Sequence, residues 1–319
     1  MHIVVRRAGT SVAERVARKR PLVEIGAIIG LAMAGSGVRA DLYSFESLTA
    51  DRFIHGQDGW VDQEGQGQAV TTLDETGNGT MVVQHLTTVA FNESAFLTRR
   101  NDAAFGFLPF TGTQSEAVIQ FDANGEHLAM FALGFDWNRD GMLRTSDGEI
   151  GPSFGVFDRK FRIQQASGGE AYDEGFSEGG GDGNSGNDWY RIQLRIDFTA
   201  LDGEGTGSLY FLNLSDGDTV YRSVSGLRNR PLGMGRLHPQ ATPARWDTMW
   251  LHLLTKGSRI PRADNLVPNL HAVRLMDVVR DGSNLVLSWR GGLGPYQVEQ
   301  SDDLTPDQWR PVGDPTDST

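Results

Sequence analysis

One stretch of the 319-residue chain has residue types and spacing suited to cation chemistry: Phe135 to Gly151, FDWNRDGMLRTSDGEIG. Counted from Asp136, oxygen-bearing side chains fall at the first, third, fifth and twelfth places (Asp136, Asn138, Asp140, Asp147), with Gly141 at the sixth. A twelve-residue calcium loop takes oxygen ligands at those places and at the seventh through a main-chain carbonyl, with glycine at the sixth for the turn. The candidate metal ligands are therefore Asp136, Asn138, Asp140, the Met142 carbonyl and Asp147, and calcium is the candidate cofactor. Leu143, at the eighth place, is the aliphatic anchor such loops favour. Asp147 is shorter than the usual closing glutamate, and Glu149 could substitute for it. Three carboxylates on one turn repel each other, so the role expected for the ion is structural. Arg139 and Arg144 offset part of that charge and imply a modest affinity, about 0.1–1 mM.

The flanks do not read as helices. EHLAMFALG before the loop is short for one, and Gly148, Gly151 and Pro152 follow where an exiting helix would run, so the loop is expected between two strands. The same Asp/Asn/Gly pattern also describes a plain turn whose side chains cap main-chain amides. Both readings stay open at this level.

Catalytic templates find little support. A retaining glycosidase needs two carboxyls about 5 Å apart, and the Glu-x-Asp-x-x-Glu strand that places them on one face occurs nowhere. GPSFG (151–155) matches a nucleophile elbow as a string, but Pro152 and the β-like VFDRKFRI deny it the helix that must follow. The histidines show no paired zinc spacing, and GEGTGS lacks the lysine of a phosphate loop. The expectation is a chain without a reactive centre. For ligand binding, the candidates are aromatic: Trp137 inside the acidic loop, Trp60 after GQDG, and Tyr190 beside the acidic insert, each able to offer a flat face to a sugar ring or to fill a core instead.

The elements that must position these residues are short and β-like. In DWYRIQLRIDF, Ile192, Leu194, Ile196 and Phe198 alternate with Arg191, Gln193, Arg195 and Asp197, a period of two that predicts one buried and one wet face. WDTMWLHLL alternates likewise, and SEAVIQFDA, SFGVFDRKFRIQQ, GTMVVQHL and SLYFLNL add strands. Many strands broken by glycine-rich turns predict an all-β fold, an antiparallel two-sheet β-sandwich over residues 41–272. The acidic, glycine-rich segment 170–188 is expected as a long solvated loop. Residues 273–319 predict a partial small β module with strands either side of GGLGP.

The formal net charge is −12, which argues against nucleic acid as a partner. It is uneven: residues 1–40 hold seven basic and two acidic side chains, leaving 22 basic against 39 acidic groups in the remainder. That basic opening, the apolar run IGAIIGLAMAG and the small residues Val38 and Ala40 make the three-part pattern of a signal peptide ending before Asp41. The run is about half the ~20 residues a spanning helix needs, so no membrane span is expected in the mature chain and the compartment expected is secreted or extracytoplasmic. Cysteine is absent, so stability must come from core area.

YSFESL, HGQDGWVDQ, GFDWNRDG, EIGPSFGVF, NDWYRIQLRIDFTA and ADNLVPN together resemble secreted bacterial proteins with a concanavalin A-like (laminin G-like jelly roll) sandwich, over about 41–270. The tail resembles the first half of a fibronectin-like module. The resemblance implies a two-sheet sandwich outside the cytoplasm, often fused to adhesion or carbohydrate-related modules, and implies little about activity. The function expected is a non-catalytic carbohydrate- or surface-binding sandwich with a calcium-braced loop. The alternatives are a purely structural or adhesive module of a cell-surface protein, or a divergent polysaccharide-cleaving enzyme.

Overall fold

The computed structural model describes residues 2–7, 43–63, 69–73, 81–85, 93–101, 110, 115–124, 127–176, 188–256, 259–270, 274–281, 284–290, 296–301 and 310–311. Asp41–Leu270 forms one compact unit, all-β and built from two antiparallel sheets. The seven-stranded sheet runs Ala171–Gly175, Lys160–Gln164, Ser153–Phe157, Leu128–Gly134, Thr248–Leu254, Ser94–Arg100 and Trp60–Asp62. The larger sheet centres on Thr206–Asn213, Trp189–Asp197, Glu116–Asn124 and Arg262–Val267. Among the described residues helical structure is limited to three-residue 3-10 turns. The all-β sandwich expected from the alternation is the fold the chain adopts.

Alternation explains the core. Ile192, Leu194 and Ile196 point inward from one sheet, and Met249, Leu251 and Leu253 from the other, all buried. Aromatic rings knit the layers: Phe121 lies 5.6 Å from Phe131 and 5.4 Å, edge-on, from Phe154. Phe161 likewise meets Phe211 at 4.5 Å and Tyr190 at 5.4 Å. Such ring pairs each add about 0.5–1.5 kcal/mol to the area they bury.

Neither outer face is simply wet. On the larger sheet Gln193, which period two places outward, is 3% exposed. Its amide donates to Gln120 Oε1 (2.9 Å), and the Tyr221 hydroxyl donates to the same oxygen (2.7 Å). On the seven-stranded sheet Leu128, Met130, Ala132 and Trp250 form a second apolar layer with Leu143 and Ile150. Leu143, the expected anchor, thus pins the acidic loop onto the back of that sheet.

His252 belongs to the same face, its ring 4.3 Å from Phe96 and its Nε2 2.9 Å from the Ser94 hydroxyl. Burial, helped by the neighbouring His85 and His127, pushes its imidazole down to about 3 from the usual 6.5. The folded state therefore stays neutral while the unfolded chain takes up a proton as pH falls past 6.5. Stability is full above that pH and is lost towards pH 3, by up to about 1.4 kcal/mol per pH unit. Denaturant midpoints between pH 7.5 and 5 should fall, and His252→Asn should flatten that slope; an unchanged slope in the variant would assign the loss elsewhere.

One expectation is corrected. Within the acidic insert, Ala171–Gly175 is not solvated loop but an edge strand, where Asp173 takes a bidentate pair from Arg162 (2.6 and 2.7 Å); residues 177–187 lie outside the described residues. The strands either side of GGLGP fall in different sheets. Asn284–Arg290 pairs with Arg274–Asp281, and Tyr296–Ser301 pairs with His2–Arg7 and Arg310–Pro311. These strands belong to a second unit. The apolar run 25–35 of the expected leader lies outside the described residues.

Candidate functional site

The acidic loop leaves strand Leu128–Gly134 and returns into Ser153–Phe157, between two strands as its flanks imply. Its neck is closed by Phe135 N–H donating to the Glu149 carbonyl (3.0 Å) and Gly151 N–H to the Leu133 carbonyl (2.8 Å). Inside, each early oxygen holds an amide. Asp136 accepts from the Asp140 and Gly141 amides (3.2 and 2.9 Å), Asn138 Oδ1 from the Asp140 amide (2.9 Å), and Asp140 Oδ1 from the Met142 amide (2.9 Å). The Asp140 carboxylate also pairs with the Arg144 guanidinium, which reaches towards Met142 sulfur as well. Asp147 faces outward to the Asn138 side-chain amide (3.2 Å) and the Ser146 hydroxyl (2.9 Å). Among the described residues, no three histidine, aspartate or glutamate side chains converge closely enough to hold a metal ion. In this conformation the loop is thus braced by its own amides and by Arg144.

The aromatic candidates separate. Trp60 is fully buried and Tyr190 is 1% exposed. Trp60 packs against Tyr43 and Phe45, and Tyr190 against Phe161 and Phe176. Neither has a face to offer a ligand, so both are corrected to core residues. By sequence Trp60 follows a turn and Tyr190 flanks the acidic insert, yet the opposing side of the sandwich covers each. Trp137 stays half-buried on the surface. Its indole N–H donates to the Asp147 carbonyl (2.9 Å), and its ring stacks on His238 at 3.7 Å and 7°.

His238 leads to a place the sequence did not single out. Its amide donates to the Gly148 carbonyl (3.0 Å), tying segment 234–243 to the acidic loop. Its Nδ1 accepts from the Gln240 amide (3.2 Å), which leaves Nε2 to carry the ring hydrogen. His238 lines an open groove of about 340 Å³ with Asp202, Glu204, Met234, Leu237 and Thr242. The turn forming one lip is strained: Leu201 and Asp202, neither a glycine, have φ of +53° and +54°, and such outliers cluster at binding sites. Met234 and Leu237 supply apolar surface; Asp202, Glu204, Thr242 and His238 supply hydrogen-bonding groups. The only signal in the sequence is a loop rich in glycine and proline (231–243), which does not reveal its partner at 201–204.

No family model matches the chain. No curated protein matches it either. Among solved structures it is similar to lectin UEA-II complexed with galactose (11% identity over 68% of this chain and 94% of that one, TM-score 0.36). It is similar too to peanut lectin with a nine-residue peptide (12% identity, 70% and 96% covered, TM-score 0.34). At these values the likeness says nothing of a ligand. The described residues define an all-β, two-sheet antiparallel sandwich in which no helix is long and apolar enough to cross a membrane.

Proposed function

We propose that this chain is an exported, non-catalytic sandwich that binds a glycan in the groove between 201–204 and 234–243, with calcium bracing the loop alongside. The observation that carries the reading is the Trp137–His238 stack at 3.7 Å, which joins the acidic loop to one wall of the groove. Alternating apolar patches and hydrogen-bonding groups suit a sugar, which presents C–H faces and hydroxyls in turn, and the volume lies at the lower end of ligand sites. Binding is favoured over turnover because the paired-carboxylate strand of polysaccharide-cleaving sandwiches is missing from the sequence. Calcium suits the loop because all its candidate donors are oxygens. Export rests on the basic and apolar pattern of residues 1–40; cleavage before Asp41 would remove strand His2–Arg7 from its pairing with Tyr296–Ser301.

A glycan array probed with the full chain, in calcium and in EDTA, tests the binding. Specific signal is expected, falling about tenfold in Trp137→Ala, which removes the ring stacked behind the His238 wall of the groove. Silence across the array, or a variant that binds as well as wild type, would leave a purely structural or adhesive module as the better account.

A further inference from the structure

We propose that Glu149, not Asp147, supplies the closing carboxylate of a cation site in the 136–149 loop, for calcium or another hard, oxygen-seeking divalent ion. The proposal rests on the calcium-braced loop put forward above and changes which acid completes it.

The two acids are in opposite situations. Asp147 has its needs met by protein: Asn138 Nδ2 at 3.2 Å, the Ser146 hydroxyl at 2.9 Å, and the Arg144 guanidinium at 3.8 Å, with its side chain 28% exposed. Glu149 is fully buried. Its Oε2 takes the Arg144 amide at 3.0 Å, and its Oε1 has no hydrogen-bond partner. Leaving a buried acceptor unsatisfied costs about 1–3 kcal/mol, and more when it is charged.

Glu149 stands across the neck of the loop, its carbonyl taking the Phe135 amide at 3.0 Å and its Oε2 the Arg144 amide. Asp136 is the second buried carboxylate of the loop, at 8% exposure. Its oxygens are engaged by amides, but a carboxylate oxygen that accepts one hydrogen bond keeps a further lone pair for a cation. A divalent ion held between Asp136 and Glu149 would offset their repulsion and satisfy Oε1 together. Asn138 and Asp140 are the next oxygens along the turn. Asp140 is paired with Arg144, so closing the site around an ion requires it to leave that partner, and the guanidinium competes with the metal. With neither thiolate nor imidazole in the set, the class is a hard cation, and calcium tolerates irregular oxygen shells best.

The test is calorimetric titration of the EDTA-stripped full chain with calcium chloride. Wild type is expected to bind, and Glu149→Gln to weaken binding by about tenfold or more, while Asp147→Asn stays close to wild type. Glu149→Gln removes a buried charge, so its metal-free thermal midpoint is expected at or above that of wild type. Should that variant not fold, Glu149→Asp, which keeps the charge and shortens its reach, is expected to show the same loss. Wild-type affinity in the folded Glu149 variant, or a loss confined to Asp147→Asn, overturns the assignment while leaving the calcium loop standing. No binding by the wild type overturns both.

Discussion

Gly155→Ala is expected to be the most damaging single substitution in the sandwich, costing about 3 kcal/mol or more. Gly155 sits in strand Ser153–Phe157, opposite Met130 of the neighbouring strand. A Cβ there would run into the Ala129 carbonyl oxygen and lie 3.0 Å from the edge of the Phe121 ring. The first obstacle is main chain held in a sheet and the second is a fully buried ring, so neither can give way. The backbone φ of +155° adds to the penalty, being a conformation that side-chain-bearing residues rarely adopt. Since whole domains are stable by only about 5–15 kcal/mol, soluble yield and thermal midpoint should both fall sharply. Gly217→Ala serves as the control: its φ is +74° but nothing stands within 4 Å, so about 1 kcal/mol is expected. Equal losses at the two positions would show that backbone conformation, not the close approach of two strands, sets the cost.

Arg191→Met is the second large effect. Asp122, 2% exposed, receives both Nε and Nη2 of Arg191 at 2.8 Å, and the Asn265 side-chain amide at 2.8 Å. The hydrogen bonds it donates to Asp122, more than the carboxylate's charge, hold the guanidinium well above its ordinary proton affinity. Removing the arginine leaves a buried carboxylate with one side-chain donor. Breaking a fully buried pair costs about 3–5 kcal/mol, but the Arg191 side chain is 34% exposed and water screens part of the interaction, so about 2–3 kcal/mol is expected. Asp122→Asn combined with Arg191→Met should recover much of it, because no stranded charge remains. Urea midpoints of the two singles and the double give the coupling. A single-variant loss below about 0.5 kcal/mol would mean that the pair is solvated like a surface one.

Much of the architecture was legible because strand formation is a local property. Ile192, Leu194 and Ile196 alternate with polar residues whatever lies across from them, and a period of two admits one backbone. The acidic loop was legible as a turn for the same reason, since Asp136, Asn138 and Asp140 cap amides two to five positions away. Its placement between strands followed from Pro152 and the glycines around it.

Burial was not legible, because it depends on what arrives from the other sheet. Trp60 and Tyr190 look as available as Trp137, yet two are core and one is stacked at the surface. GPSFG reads as a reactive string, whereas Ser153 is 5% exposed within a strand and Gly155 is there to let a carbonyl pass. The groove lay beyond reach because its walls, 201–204 and 234–243, are distant in the chain, and nothing local in Asp202 or Glu204 announces His238. Glu149 is the sharpest case: its type and place admit a ligand role, but nothing local shows that it is fully buried with Oε1 lacking a hydrogen-bond partner. Sequence periodicity alone determined which backbone forms, since neighbours along the chain decide it. The stacking of the sheets determined which side chains meet solvent or a ligand, because exclusion of water depends on contacts between segments distant in the chain.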